Sequence, residues 1–393
     1  MPKSVWWLAF SLALFITGNA LVLSVAVVVG EQLAEDPIYA TVPLLSQYIG
    51  IISATIPMAH FMMKYSRKAG FIIGNISGLI GALLSIAGIY LHSLVLFSLG
   101  TLFTGVAIGT AQQYRFAAIE ETPVNMHAKA IGLVMSGGII AAVIGPTLAV
   151  VTRQLFADYP FIGPFTALSV IYSLAFIVLL KIPLTKVVKP KVDSTEKIRN
   201  YSQLYSQPLL FLVTVVSAIG YGILVYTMAA IPLSMKQSGF EFSTIAFVFQ
   251  CHILGMFAPS FITGQLIHRF GVKIFFFTAI LLLIVALSIH LLGESFYHYL
   301  FGFVLVGISW NLNLISSTHL LSKTYLPHER AKVQGTNDFF IFFLGGLGSI
   351  AGGIAFHFLG WQNTNTISVT LALVILLSAI KLRKYLPTHQ TIH

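Results

Sequence analysis

Charge is what this 393-residue chain has least of. Only 9% of its residues are Asp, Glu, Lys or Arg, against about 25% in an ordinary soluble domain. A single cysteine, Cys251, excludes intramolecular disulfides and any paired-cysteine metal site. No Walker-type phosphate loop occurs, so ATP-driven chemistry has no sequence support. No nucleophile–base–acid set stands in a plausible context either. The one His-x-x-x-His pair, His389 with His393, falls in a polar C-terminal tail. These absences leave no basis for a soluble globular protein, a disulfide scaffold, a metalloenzyme or a primary pump, and no cofactor is implied.

Apolar sequence is what fills the space. Hydrophobic residues make up 57% of the chain, in runs near residues 6–29, 41–63, 70–91, 94–119, 130–152 and 164–183. A second set lies near 208–233, 242–266, 274–292, 296–321, 333–358 and 364–382. Each is close to the roughly 20 residues that cross a bilayer. The first run is too long for a cleaved leader and reads as a membrane helix. The expectation is an all-α membrane protein of twelve transmembrane helices, two pseudo-symmetric six-helix bundles spanning 1–183 and 208–384. The polar segment 184–207 is the linker, and 385–393 is a tail.

Basic residues set the orientation. With Met1 placed in the cytoplasm, 19 of the 22 Lys and Arg residues fall in cytoplasmic segments, Arg153 and Lys236 fall outside, and Arg115 stands alone. This bias puts both termini in the cytoplasm. It also accounts for most of the net charge of +10 without nucleic acid as a partner. The bilayer and a small-molecule substrate are the partners expected, and the chain is expected to be a monomer.

The two halves repeat. "AHFMMKYSRK" (59–68) returns as "GQLIHRFGVK" (264–273), 205 residues on, and "AKAIG" (128–132) returns as "AKVQG" (331–335), 203 residues on. Such duplication underlies many secondary transporters, with substrate held near the midplane. The repeated basic loops argue against a receptor or scaffold, and the lack of a clustered site argues against a membrane enzyme.

On these features the chain resembles the major facilitator superfamily along essentially its full length. The basic motif after the second helix maps onto Ala59, Met63, Lys64, Ser66, Arg67 and Lys68. Its second copy maps onto Gly264, His268, Arg269, Gly271 and Lys273, and both copies lack the motif's Asp. Gly145-Pro146 stands where proton antiporters of that superfamily carry theirs, with Ala141 and Ala149 in place of Gly, and Thr101 stands where many members have arginine. The resemblance implies the major facilitator fold, a bacterial cytoplasmic (inner) membrane, and alternating access. Proton-coupled efflux of a small organic molecule is the expected activity. Uptake of an anionic metabolite, such as a carboxylate or carboxylate siderophore, is the alternative.

Intramembrane polar residues are functional candidates by default. No Asp or Glu lies near the middle of any run, which favours neutral or anionic substrates. Arg115 lies 21 residues into its run, roughly 31 Å at 1.5 Å per residue. That depth is the inner mouth, where it either snorkels or attracts an anion; Gln112 shares its face. The resemblance implies a cavity lined by helices 1, 4, 7 and 10, which supply Asn19, Tyr221, Tyr226, Trp310, Asn311 and Asn313. Asn311 and Asn313 are 200° apart on a helix, so at most one faces substrate. Gln250 and His252 add polarity in the eighth run. Proton coupling is expected of Glu120, Asp338 and His252. A gate is expected from Asp338 against Lys64, Arg67 and Lys68, and from Glu120 or Glu121 against Arg269 and Lys273.

Overall fold

The computed structural model describes residues 1–123, 127–183, 199–326 and 329–386. Among these residues there is no strand. The helices are α1 (Lys3–Leu33), α2 (Val42–Lys64), α3 (Arg67–Tyr90), α4 (Leu94–Ala111), α5 (Tyr114–Glu120), α6 (His127–Thr152) and α7 (Ile162–Lys181). They continue as α8 (Tyr201–Tyr205), α9 (Pro208–Gln237), α10 (Phe242–Phe257), α11 (Ser260–Phe270), α12 (Val272–Leu291), α13 (Phe296–Leu321) and α14 (Arg330–Lys381).

Among the described residues, eleven helical stretches are long and apolar enough to cross a membrane. Runs 333–358 and 364–382, expected as separate helices, are two helices that meet at a kink within α14. At 52 residues α14 is far longer than one crossing requires. It turns at Gly360, whose φ of 70° and ψ of 178° are non-helical. Only glycine takes that backbone at low cost.

Serine and asparagine set several starts. The Ser66 hydroxyl accepts from the Ala69 amide to open α3, and Ser93 accepts from Leu96 to open α4. Asn200 and Gln203 form a reciprocal box on α8. Each satisfies backbone donors that a helix end leaves orphaned.

The chain separates into two compact units. Unit one holds residues 1–190 with 239–250, and unit two holds 191–238 with 251–393. In unit one, α1 packs on α6, α2 on α4, and α3 on α4 and α7. The Phe15 ring sits 5.7 Å from Tyr114 and 5.6 Å from Tyr172, and Phe71 stacks on Tyr114 at 3.9 Å. All four side chains are fully buried. In unit two, α9 packs along α14 and α12 along α13.

The duplication is visible in how helices touch. Gly50 backs onto the Leu102 carbonyl, and Gly255 onto that of Val304. Gly105 backs onto the Gln47 carbonyl, and Gly307 onto that of His252. Gly100 meets Gly81, and Gly302 meets Ala286; Gly145 meets the Thr17 carbonyl, and Gly348 that of Gly222. In each pairing the second-unit residues follow by 202 to 205 positions. Glycine is required because the facing backbone occupies the space of a Cβ, the packing small residues permit between membrane helices. Gly145, expected from the antiporter resemblance, is thereby a packing residue with an equivalent in the other unit.

Candidate functional site

The basic loop of unit one carries a built ion pair. Arg67, the first residue of α3, points its guanidinium at α5. Nε donates to Glu120 Oε2 at 3.1 Å and Nη2 to Oε1 at 2.6 Å. Nη1 donates to Gln113 Oε1 at 3.0 Å. This is the two-pronged fit that a planar guanidinium offers a carboxylate. The sequence expectation sets Glu120 opposite Arg269 and Lys273; the structure instead engages it inside its own unit. The reason is local: the break after α4 and the short α5 bring Gln113 and Glu120 to the Arg67 side, which spacing alone does not reveal. Glu121 follows directly after α5, partly exposed.

Two expected gate lysines turn out to cap helices. Lys68 Nζ donates to the Leu180 and Ile182 carbonyls at 2.7 and 3.2 Å, closing the end of α7. Lys273, 205 residues later, donates to the Arg383 carbonyl at 3.4 Å, just past α14. A cation at a helix C-terminus complements its dipole. Lys64 lies over the Tyr65 ring at 5.3 Å, and Arg269 over Phe270 at 5.2 Å. Asp338 accepts from Asn337 at 3.4 Å.

A second cluster, which no sequence motif marks, lies in unit two. Glu329, with no exposed side-chain surface, accepts from Arg199 Nη2 at 2.5 Å, Arg199 Nε at 2.8 Å and the Arg199 backbone amide at 3.1 Å. It also accepts from the Leu326 amide at 3.1 Å. Lys332 Nζ donates to the Arg199 carbonyl at 2.7 Å and lies over the Tyr201 ring at 4.2 Å. The hydrogen bonds from Arg199 pull the Glu329 carboxyl down to about 2, against the opposing effect of burial. The segment entering α8 is thus clamped to the α13–α14 connection. Partners 130 residues apart leave no periodicity to find them by.

Within the spans, several candidates are committed to neighbours. Asn19 Oδ1 accepts from Gln47 at 3.1 Å. Asn311 donates to the Met256 carbonyl and Ser260 and accepts from Thr263, all within 2.9 Å. It bonds across helices, as buried amides in membranes do. His252 is fully buried; its Nδ1 lies 2.7 Å from the Phe303 carbonyl and its ring stacks on Phe303 at 3.7 Å. A carbonyl partner fixes the proton on Nδ1. Gln250 donates to the Val143 carbonyl at 3.4 Å. Tyr226 is buried, its backbone against Gly352.

The remaining candidates are only partly enclosed. Gln112 is half-buried at the α4 terminus. Tyr221 meets Phe342 edge-on at 5.9 Å, and Trp310 meets Phe257 edge-on at 6.0 Å. Asn313, half-buried, accepts from Ser317 at 2.8 Å through Oδ1. The backbone of Arg115 is on α5, but its side chain lies outside the described residues, as do those of Met63 and His268. So do the linker residues 184–198 and the tail from 387.

Trp310 and Asn313 share a pocket in unit two. Val216, Gly220 and Leu224 of α9 form one wall; Ala279, Ile280 and Leu283 of α12 form another. Val306 and Ser309 of α13 and Ile375 of α14 complete it. Among the described residues no cluster of three or more His, Cys, Asp or Glu could hold a metal.

A family model described as Major Facilitator Superfamily matches residues 8–250 and 210–391. The chain is 32% identical over 380 residues to the riboflavin transporter RfnT of Brucella anthropi, covering 96% of this chain and 95% of that one. It is 26% identical over 357 residues to the uncharacterized MFS-type transporter YdeG of Bacillus subtilis, covering 86% and 82%. Among solved structures, a bacterial homologue of the human lysosomal transporter Spinster matches with TM-score 0.71 and 14% identity, covering 98% of both chains. The nucleoside transporter NupG matches with TM-score 0.68 and 14% identity, over 98% of this chain and 100% of that one.

Proposed function

This chain belongs to the Major Facilitator Superfamily, a family of membrane transporters and not of enzymes, and on that premise we propose that it carries riboflavin or a closely related flavin across the membrane. The observation that carries this reading is the 32% identity to a riboflavin transporter along nearly the whole of both chains. The residues of the spans support it. Riboflavin is neutral at physiological pH, and the runs hold no central carboxylate to select a cation. Its flat ring system suits aromatic faces such as Trp310 and Tyr221, and its ring amides and ribityl hydroxyls suit the amide of Asn313. Asn19, Asn311 and His252, already committed to neighbours, are assigned to packing.

The proposal retains twelve crossings, with α14 supplying two on either side of Gly360, and cytoplasmic termini in an inner membrane. Alternating access couples movement of the substrate to the proton gradient. We assign proton coupling to Glu120 and Asp338. Neutralising Glu120 removes the charge that Arg67 holds, and a contact with two discrete states is how such transitions are biased. In proteoliposomes with an imposed pH gradient, wild-type flavin flux is expected to follow the gradient. The Glu120→Gln, Asp338→Asn double variant is expected to exchange flavin but lose that dependence. Unchanged gradient dependence in the double variant removes both carboxylates from the coupling step.

A further inference from the structure

The pocket in unit two occupies a place that unit one fills with its own rings. The glycine contacts above fix the equivalences: α1 and α3 map onto α9 and α12 with an offset of 205, and α4 maps onto α13 with 202. Ser11 and Phe15 therefore correspond to Val216 and Gly220, and Asn75 and Gly78 to Ile280 and Leu283. Ile108 corresponds to Trp310 and Ala111 to Asn313.

In unit one, Phe15 wedges between Tyr114 and Tyr172, and Tyr172 lies over Gly78, where a Cβ would meet its ring. Unit two has no ring at the positions equivalent to Phe15 and Tyr114. Phe15 gives way to Gly220, Tyr114 to Ser316, and the last-helix stretch 371–375 reads Leu-Ala-Leu-Val-Ile. The larger Leu283 recovers part of the volume, and the free space left is about that of one water molecule or methyl group. Its walls are aliphatic on α9, α12 and α14. On α13, Ser309 is bonded to the Ala279 carbonyl at 2.8 Å, which leaves Trp310 and Asn313 as the aromatic and polar elements. Gly220 keeps the pocket open: a Cβ there would stand 3.0 Å from Asn313 Nδ2.

We propose that this pocket is a specificity subsite that takes the apolar, methyl-bearing edge of a planar aromatic substrate, with Gly220 as the residue that admits it. An aromatic edge is what the equivalent space of unit one already holds, and a methyl group is what the remaining volume fits. A water has little to bond here, since most of the lining is hydrocarbon. Trp310 offers a face to the ring from which the methyl projects, and the Asn313 amide marks the boundary where the substrate turns polar. The inference rests on the flavin-transport reading, because the methyl-substituted benzenoid edge of riboflavin is the group it assigns to the pocket.

The test is a fluorescence-quenching titration of purified full-length protein with riboflavin and with 7,8-didemethylriboflavin. One buried methyl group at roughly 0.8 kcal/mol is expected to give the wild type about fourfold tighter binding of riboflavin. Gly220→Val is expected to lose at least tenfold in riboflavin affinity and to bind the two flavins alike. Leu283→Ala, which enlarges the pocket from the opposite wall, is expected to gain affinity for 7,8-diethyl over 7,8-dimethyl flavin. It supplies the answer should the valine variant fail to fold. Riboflavin binding without discrimination between the two flavins would overturn the subsite and leave the transport reading standing. Failure of the wild type to bind either flavin would overturn the transport reading, and the subsite with it.

Discussion

Replacing Gly105 with valine is expected to leave little folded protein after detergent extraction. Gly105 on α4 lies against the Gln47 carbonyl of α2, and Gly50 on α2 lies against the Leu102 carbonyl of α4. The two glycines form a reciprocal notch, so any side chain at either one forces the helices apart along their shared length. Overpacking usually costs about 1–3 kcal/mol. Here the obstacle is backbone, which cannot swing aside as a side chain can, so the cost is expected at about 4 kcal/mol or more. Thermal unfolding followed by size-exclusion chromatography checks it. Gly264 is the control, because a Cβ there meets nothing within 4 Å. Gly264→Ala is expected to be neutral or to stabilise by up to about 1 kcal/mol through helix propensity. A folded Gly105→Val protein within about 1 kcal/mol of wild type would contradict the packing described for α2 and α4.

The second large effect belongs to the Arg199–Glu329 clamp. Removing one partner of a buried pair typically costs about 3–5 kcal/mol because the other charge stays buried and unmatched. Arg199 keeps a third of its side-chain surface exposed, so solvent screening reduces the expected cost of Arg199→Ala to about 2–3 kcal/mol. Glu329→Gln is expected to cost a comparable amount, since its amide keeps one accepting oxygen but turns an NH2 toward two of the four N–H donors that the carboxylate satisfies. The pH dependence follows from the direction of the shift. The folded carboxyl sits at about 2, below its ordinary 4.5. Its contribution is therefore complete above pH 4.5 and lost as pH falls from there through about 2. Melting temperatures of wild type measured down that range are expected to fall more steeply than those of Glu329→Gln. Parallel curves would mean that the clamp adds no acid-sensitive stability.

How much of this the sequence discloses depends on whether the cause is local. Apolar runs are local, so residues 296–321 anticipate α13 and 70–91 anticipate α3 to within a few residues. The duplication is legible too, because two motifs keep nearly one offset, and Lys68 and Lys273 are found capping corresponding helix ends. Helical phase separates Asn311 from Asn313, but only packing decides which of them is committed to its neighbours. Relations between distant segments stay hidden. Glu120 and Arg67 are 53 positions apart, and Arg199 and Glu329 are 130 apart; any of several basic residues satisfies composition equally well. Gly220 gives no signal either, because its meaning lies in the Phe15 ring it replaces, and that needs the fold before the comparison can be made.

Counterflow in proteoliposomes tests the central claim most directly. Vesicles holding purified protein are loaded with excess riboflavin, and entry of labelled riboflavin is followed without any imposed gradient. Saturable, transient accumulation that excess unlabelled flavin suppresses is the expected result. Entry no faster than in protein-free vesicles, from a preparation that is folded and monodisperse, would contradict the assignment of flavin as substrate.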